Sequence, residues 1–260
     1  MSHTVLETQL PGSVIRALLR TQGYLALASL FSSAYCSQLC EEVRRAAVVG
    51  PCINGHGPAT RVIALLAHSD LALQLLDHNE LGKLIDEGLG NDVILSRAEG
   101  TIPSSNGAPL WQSDFEKPRR NLPARSFRPG IAFWTPLNDS GEIEVLRTSQ
   151  HVRPAESPHI TPATRLVIPQ GGGVLLEGGT SYRFTTSETV WLSLAFVRPW
   201  IKPEVLFFAA LGDERINRLN ERGRRWCGVH LGLPTSVEEF LAIEQAALDT
   251  DLGRAKGSGI

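Results

Sequence analysis

From about Asn91 to Val197 the chain breaks into short apolar runs, each closed by glycine, proline, serine or asparagine. DVILSRAEG, GIAFWTPL, EIEVLR, TRLVIP, GGVLLEG and TVWLSLAFV are rich in β-formers and separated by turn chemistry, so they read as strands. Helical patterns stand before and after this block. Helices followed by many short strands predict helices packed on an antiparallel sandwich or jelly roll.

The segment from Leu10 to Leu30 reads as a short helix running into the strand YLAL, with Gly23 as the break. Ser32 or Ser33 is a suitable N-cap for a helix through SAYCSQLCEEVRRAAVV, which Gly50 and Pro51 end. Tyr35, Cys36, Leu39, Val43 and Ala46 recur at helical spacing and give it one apolar face. A second helical stretch is predicted over Thr60 to Glu87, interrupted at Asn79. After Pro199 and Pro203 the pattern is helical again from Val205 to Asn220, and Ser236 with Glu239 forms a capping box for a last helix. No internal repeat and no linker divides the chain. The expectation is one domain over 1–260: a helical part at about 10–90, a jelly-roll core at about 91–202 and a helical part at about 203–252.

Composition narrows the function classes. In 260 residues, 42% hydrophobic and 20% charged, the chain can bury a real core, which excludes wholesale disorder. Its 25 basic and 27 acidic residues leave a net charge of −2, so no excess of positive charge drives nucleic-acid binding. No apolar run is long enough to cross a membrane, and no basic stretch followed by an apolar run opens the chain. The reading is a cytoplasmic protein with a small-molecule partner; the oligomeric state is open, a homodimer included. Cys36, Cys40, Cys52 and Cys227 are too scattered for a disulfide scaffold and read as buried thiols; a zinc site would have only Cys52 and His56 to add. Arg119 and Arg120, and Arg222, Arg224 and Arg225, read as solvated faces.

Four segments, in order, resemble the phytanoyl-CoA dioxygenase family. GYLALASLFSSAYCSQLCEEV is similar to its N-terminal strand and helix, and WQSDF at 111–115 stands where the family carries a Trp-His-Gln-Asp metal motif. GIAFWTPLNDSGEIEVLRTSQH resembles the strands that end in the family's Pro-Gly-Ser-His. GGVLLEGGTSYRF followed by WLSLAFVRPWIKP resembles the second metal-ligand strand and the closing strand. The match covers most of residues 23–203. It implies a double-stranded β-helix with flanking helices, and the family's chemistry uses iron(II) and 2-oxoglutarate, the metal held by two histidines and a carboxylate.

The ligands implied by the resemblance are missing here. Gln112 stands at the first-histidine position, leaving only Asp114. The second-histidine position falls on Arg183, or on Tyr182 if the turn slips by one; a guanidinium has no lone pair for a metal. The cation that pairs with 2-oxoglutarate should fall near Thr189 or Val190, where no basic residue stands. The expectation is that iron(II) and 2-oxoglutarate are both lost and that no metal is bound. The former cavity then supports redox-neutral chemistry, a cyclisation, isomerisation or other rearrangement of a small organic substrate from natural-product biosynthesis. The expected catalytic groups are Gln112, Asp114, Arg183 and Tyr182, with Trp111, Phe115, Trp134 and His151 around the substrate. Gln112 and Asp114 should face inward together, and Arg183 should pair with Asp114 unless Tyr182 faces in instead. Two other readings are a non-catalytic binding or scaffold protein, and a true oxygenase drawing ligands from His151 or His159.

Overall fold

A computed structural model describes residues 10–49, 52–54, 59–103, 110–115, 129–151, 163–186 and 188–229. Helix α1 (Gly12–Gln22) stops at Gly23, whose backbone turns left-handed (φ 85°) and sends the chain into strand β1 (Tyr24–Leu27). That conformation suits glycine, and a Cβ there would also sit 2.6 Å from Gln150 Oε1. Helix α2 (Ser33–Val49) starts at Ser32, whose Oγ accepts from the Tyr35 N–H at 3.2 Å. Cys36 and Cys40 lie on its buried face, and with Cys227 they are free; burial pushes the Cys36 thiol up to about 11 and that of Cys227 to about 12.

The helix predicted from Thr60 does not begin there. A hairpin of β2 (Cys52–Asn54) and β3 (Ala59–Val62) comes first, because Arg61 and Val62 alternate across β3 as it pairs with β4 (Ile94–Pro103). Two 3₁₀ turns flank the short helix α3 (Asp70–Leu73), and α4 (Asn79–Leu89) starts where His78 Nδ1 accepts from the Leu81 N–H. The remaining strands are β5 (Gln112–Ser113), β6 (Gly130–Pro136), β7 (Gly141–Leu146), β8 (Ala163–Ile168), β9 (Gly173–Glu177), β10 (Ser181–Phe184) and β11 (Trp191–Val197). Helix α5 (Phe207–Asn217) bends at Gly212 and precedes α6 (Glu221–Trp226). The helix predicted from Ser236 lies outside the described residues, as do Arg119, Arg120, His159 and His230.

Seven strands form one antiparallel sheet in the order β1-β9-β6-β11-β4-β3-β2, and four form a second, β5-β10-β7-β8. The fold is a double-stranded β-helix with flanking helices. Strand alternation divides the core in two. Leu192, Leu194 and Phe196 of β11 join Leu95, Ile131, Phe133 and Leu175 against α1, α2 and α4, while Trp191 and Ala195 join Ala132, Trp134, Val174 and Tyr182 between the sheets. Among the described residues, no helix is long and apolar enough to cross a membrane. Arg222 and Arg225 are not free on a solvated face: they reach Asp86 at 3.4 and 3.7 Å and tie α6 to α4.

Candidate active site

Strand β4 pairs with β11 in a register that slips once: Ala195 faces Arg97 but Phe196 faces Leu95, leaving Ser96 as the extra residue of a bulge. The bulged Ser96 is anchored at 3.0 Å by the N–H groups of Glu204, on its Oγ, and of Val205, on its carbonyl. Past the bulge, Arg97 and Glu99 point between the sheets, opposite Ala195 and Ser193. Arg97 is only 12% exposed and meets three carboxylates: Asp114, Glu99 (Nε to Oε2, 3.4 Å) and Glu204 (3.3 Å). Glu99, also buried, is gripped by Arg61 of β3 through Nε (3.0 Å) and Nη2 (2.6 Å), a two-pronged pairing.

Asp114 sits in the turn after β5, 6% exposed. One carboxylate oxygen accepts from Arg97 and the other from the Tyr182 hydroxyl at 3.0 Å. Tyr182 is buried in β10 among Trp134 (ring centroids 5.7 Å apart) and Phe184 (5.7 Å), and Phe184 continues to Trp191 (4.7 Å). Burial opposes the charge on Arg97, but the carboxylates of Asp114 and Glu99 outweigh that and hold its pKa above the usual value. Burial pushes the Tyr182 hydroxyl well up and the Asp114 carboxylate adds to the effect, so Tyr182 stays a hydrogen-bond donor. For Glu99, burial raises the pKa against the downward pull of Arg97 and Arg61.

The expected pairing of Arg183 with Asp114 is not formed. Arg183 follows the buried Tyr182 by one residue, so strand alternation sends it to the other face of β10. There it binds Glu144 of β7 through Nε (2.7 Å) and Nη2 (2.6 Å), and its guanidinium lies 4.6 Å from the Trp111 ring centre. Gln112 does not face inward with Asp114 either: it is exposed on the two-residue edge strand β5, and the chain has already left the strand at Asp114. Phe115, at a left-handed φ of 62°, packs against both the inner core and the cluster of Ile94, Val197 and Ile201. The structure thus joins Asp114, Tyr182, Phe115 and Trp134, and places Gln112, Trp111 and Arg183 apart from them. His151 ends the 3₁₀ turn Ser149–His151. Thr189 and Val190 are buried, and neither brings a cation. Sequence reading missed Arg97, Glu99 and Arg61; the sole signal was a Ser-Arg-Ala-Glu alternation inside a strand.

This donor set does not fit iron(II). Both oxygens of Asp114 are engaged by a guanidinium and a phenol, and the positions where the resemblance implies imidazoles hold an exposed amide and Tyr182 or Arg183. Among the described residues, no three His, Cys, Asp or Glu side chains are grouped to hold a metal ion.

No protein-family model matches the chain, and no curated protein is similar to it. Solved structures do match. The non-haem alpha-ketoglutarate-dependent carbocyclase SnoK from nogalamycin biosynthesis superposes with a TM-score of 0.60, at 15% identity over 75% of this chain and 87% of that one. The alpha-ketoglutarate-dependent epimerase SnoN of the same biosynthesis gives 0.58, at 16% identity over 72% and 80%. HygX from Streptomyces hygroscopicus, with nickel and 2-oxoglutarate bound, gives 0.57, at 12% identity over 75% and 92%. The chain shares their fold.

Proposed function

We propose that this chain is a metal-independent member of the phytanoyl-CoA dioxygenase-like group that rearranges a small organic substrate, without net oxidation, in the space between the sheets. The observation that carries the reading is the pairing of Asp114: the carboxylate at the metal-ligand position bonds Arg97 through one oxygen and the Tyr182 hydroxyl through the other, which leaves each oxygen a lone pair for a proton. A buried guanidinium there supplies the compensating charge that a metal would otherwise bring. Two structures of this fold are named as an epimerase and a carbocyclase of nogalamycin biosynthesis, which supports natural-product tailoring as the setting. Both are named as alpha-ketoglutarate-dependent, so metal independence rests on the donor set of this chain alone.

The groups divide the work by their chemistry. Asp114 is the base positioned to take a proton from the substrate and return it elsewhere on the same molecule, leaving mass and oxidation state unchanged. Arg97, oriented by its carboxylate partners, stabilises negative charge developing on a substrate oxygen. Tyr182 holds Asp114 in place. Metal-stripped protein incubated with small metabolites and followed by mass spectrometry should convert a compound into an isomer of equal mass, with a chelator present and not in the Asp114→Asn variant. Conversion only with iron(II), oxygen and 2-oxoglutarate, accompanied by succinate, would overturn the reading.

A further inference from the structure

Helix α5 opens without the polar residues that helix starts usually carry. The stretch VLFFAAL at 205–211 is apolar throughout, and its N-cap is Leu206, with no side-chain cap and no acidic residue in the first turn. Burial uses only part of it. Phe207 and Leu211, four apart, reach the core, and Val205 packs against it. Leu206 is 49% exposed and Phe208 39%, and Ala209 and Ala210 are exposed beside them. Single exposed apolar side chains need no explanation, but this concentration of them in the first turn of one helix does.

The patch continues onto a second segment. The Phe208 N–H donates to the Cys227 carbonyl at 3.1 Å, which brings the stretch after α6 alongside the start of α5. Two residues later Val229, 44% exposed, is the last described residue. The chain therefore leaves the described structure next to the patch, and residues 230–260 follow from that point. From Val229 to Ser236 an extended chain reaches about 25 Å, ample to turn back onto α5. Ser236 with Glu239 forms the capping box of the helix predicted there. After it Phe240, Ile243 and Ala247 recur at i, i+3 and i+7, which gives one apolar side, with Glu238 and Asp249 on the opposite side. A helix this short is marginal in water on its own, so it needs a surface to pack on.

We propose that residues 236–248 of this same chain dock as a helix on the patch of Leu206, Phe208, Ala210 and Val229, with Phe240 and Ile243 as the contact residues. The contact is independent of the chemistry proposed above. Hydrogen exchange on the full chain, read by mass spectrometry, tests it. Amides over 240–247 should exchange about tenfold or more slowly than those of an unstructured chain, at every protein concentration. Phe208→Glu and Leu206→Glu put charge into the patch at sites open to solvent, and an acidic residue at the start of a helix is favourable, so the fold should hold. Each should return 240–247 to the unstructured rate and leave the amides of β11 unchanged. Phe240→Glu, on the other side of the contact, should do the same. Amides over 240–247 that exchange freely in the parent overturn the proposal, as does protection that survives either patch substitution. Protection that appears only as protein concentration rises also overturns it, because a second copy would then cover the patch.

Discussion

On its helix-covered face the seven-stranded sheet presents Leu95, Phe133, Leu175, Leu194 and Phe196, all packed among apolar neighbours; on the opposite face of the same strands stand Arg97, Glu99 and Ser193. The helix side does what burial does best, each large side chain contributing about 1.5–3 kcal/mol. The inner side gives part of that up. It takes the Arg97 guanidinium and the carboxylates of Asp114 and Glu99 away from most of the water, at an effective desolvation penalty of several kcal/mol per ion, and recovers it only through close pairing. It also leaves indole and hydroxyl donors unmatched. A fold that packs one face with apolar side chains and loads the other with buried charge has divided stability from function between two sides of one sheet.

That division can be broken by substitution. The largest expected effect is at Arg97→Met, which leaves Asp114 buried with no guanidinium beside it while Glu99 keeps Arg61: about 3–5 kcal/mol of stability lost in urea unfolding, with turnover abolished. Adding Asp114→Leu should restore much of the stability and none of the activity; a single variant as stable as the parent would show that the pair is not tightly buried. On the other face, Leu194→Ala should cost about 3 kcal/mol through the cavity it opens, while ligand binding by the folded fraction is unchanged.

Smaller effects sharpen the contrast. Tyr182→Phe keeps the ring stacking and removes one donor from a charged acceptor, which should cost about 1.5–2 kcal/mol and lower turnover at unchanged fold. Ser193→Ala should stay within about 0.5 kcal/mol of the parent, because Oγ bonds to nothing in the protein. His78 gives the helix layer a pH-sensitive point. His78 caps α4 through its unprotonated Nδ1, and burial lowers its pKa from 6.5. The folded form binds its proton less readily than the unfolded chain, so this stability is complete above pH 6.5 and fades as pH falls through the lowered value. The loss should be under about 1 kcal/mol, and His78→Asn, which can still cap, should remove the slope.

The strands were legible because their limits are chemical: Gly23, the Gly171–Gly173 run and the Asn138–Gly141 turn interrupt apolar runs at places where the sheets reverse. The hairpin at β2–β3 was not, since Thr60, Arg61 and Val62 carry no turn signal to separate them from the helical segment after them; their pairing with β4 forty residues onward decides their state. In the site, Asp114 and Tyr182 stand at positions that the resemblance to the phytanoyl-CoA dioxygenase family implies, Tyr182 as the alternative to Arg183. The face of β10 could not be read from it, because a shift of one residue exchanges Tyr182 for Arg183. Arg97 was out of reach for a different reason. Its inward direction depends on the bulge at Ser96, which only the register with β11 reveals, and its partners come from the turn after β5, from β4 itself and from the segment after β11.

The central claim is that a guanidinium, not a metal, compensates Asp114, and anaerobic titration of the purified chain with iron(II) and 2-oxoglutarate tests it most directly. The account predicts no saturable binding of either, in the parent and in Asp114→Asn alike. Stoichiometric iron bound together with 2-oxoglutarate in the parent, and lost in Asp114→Asn, would contradict it.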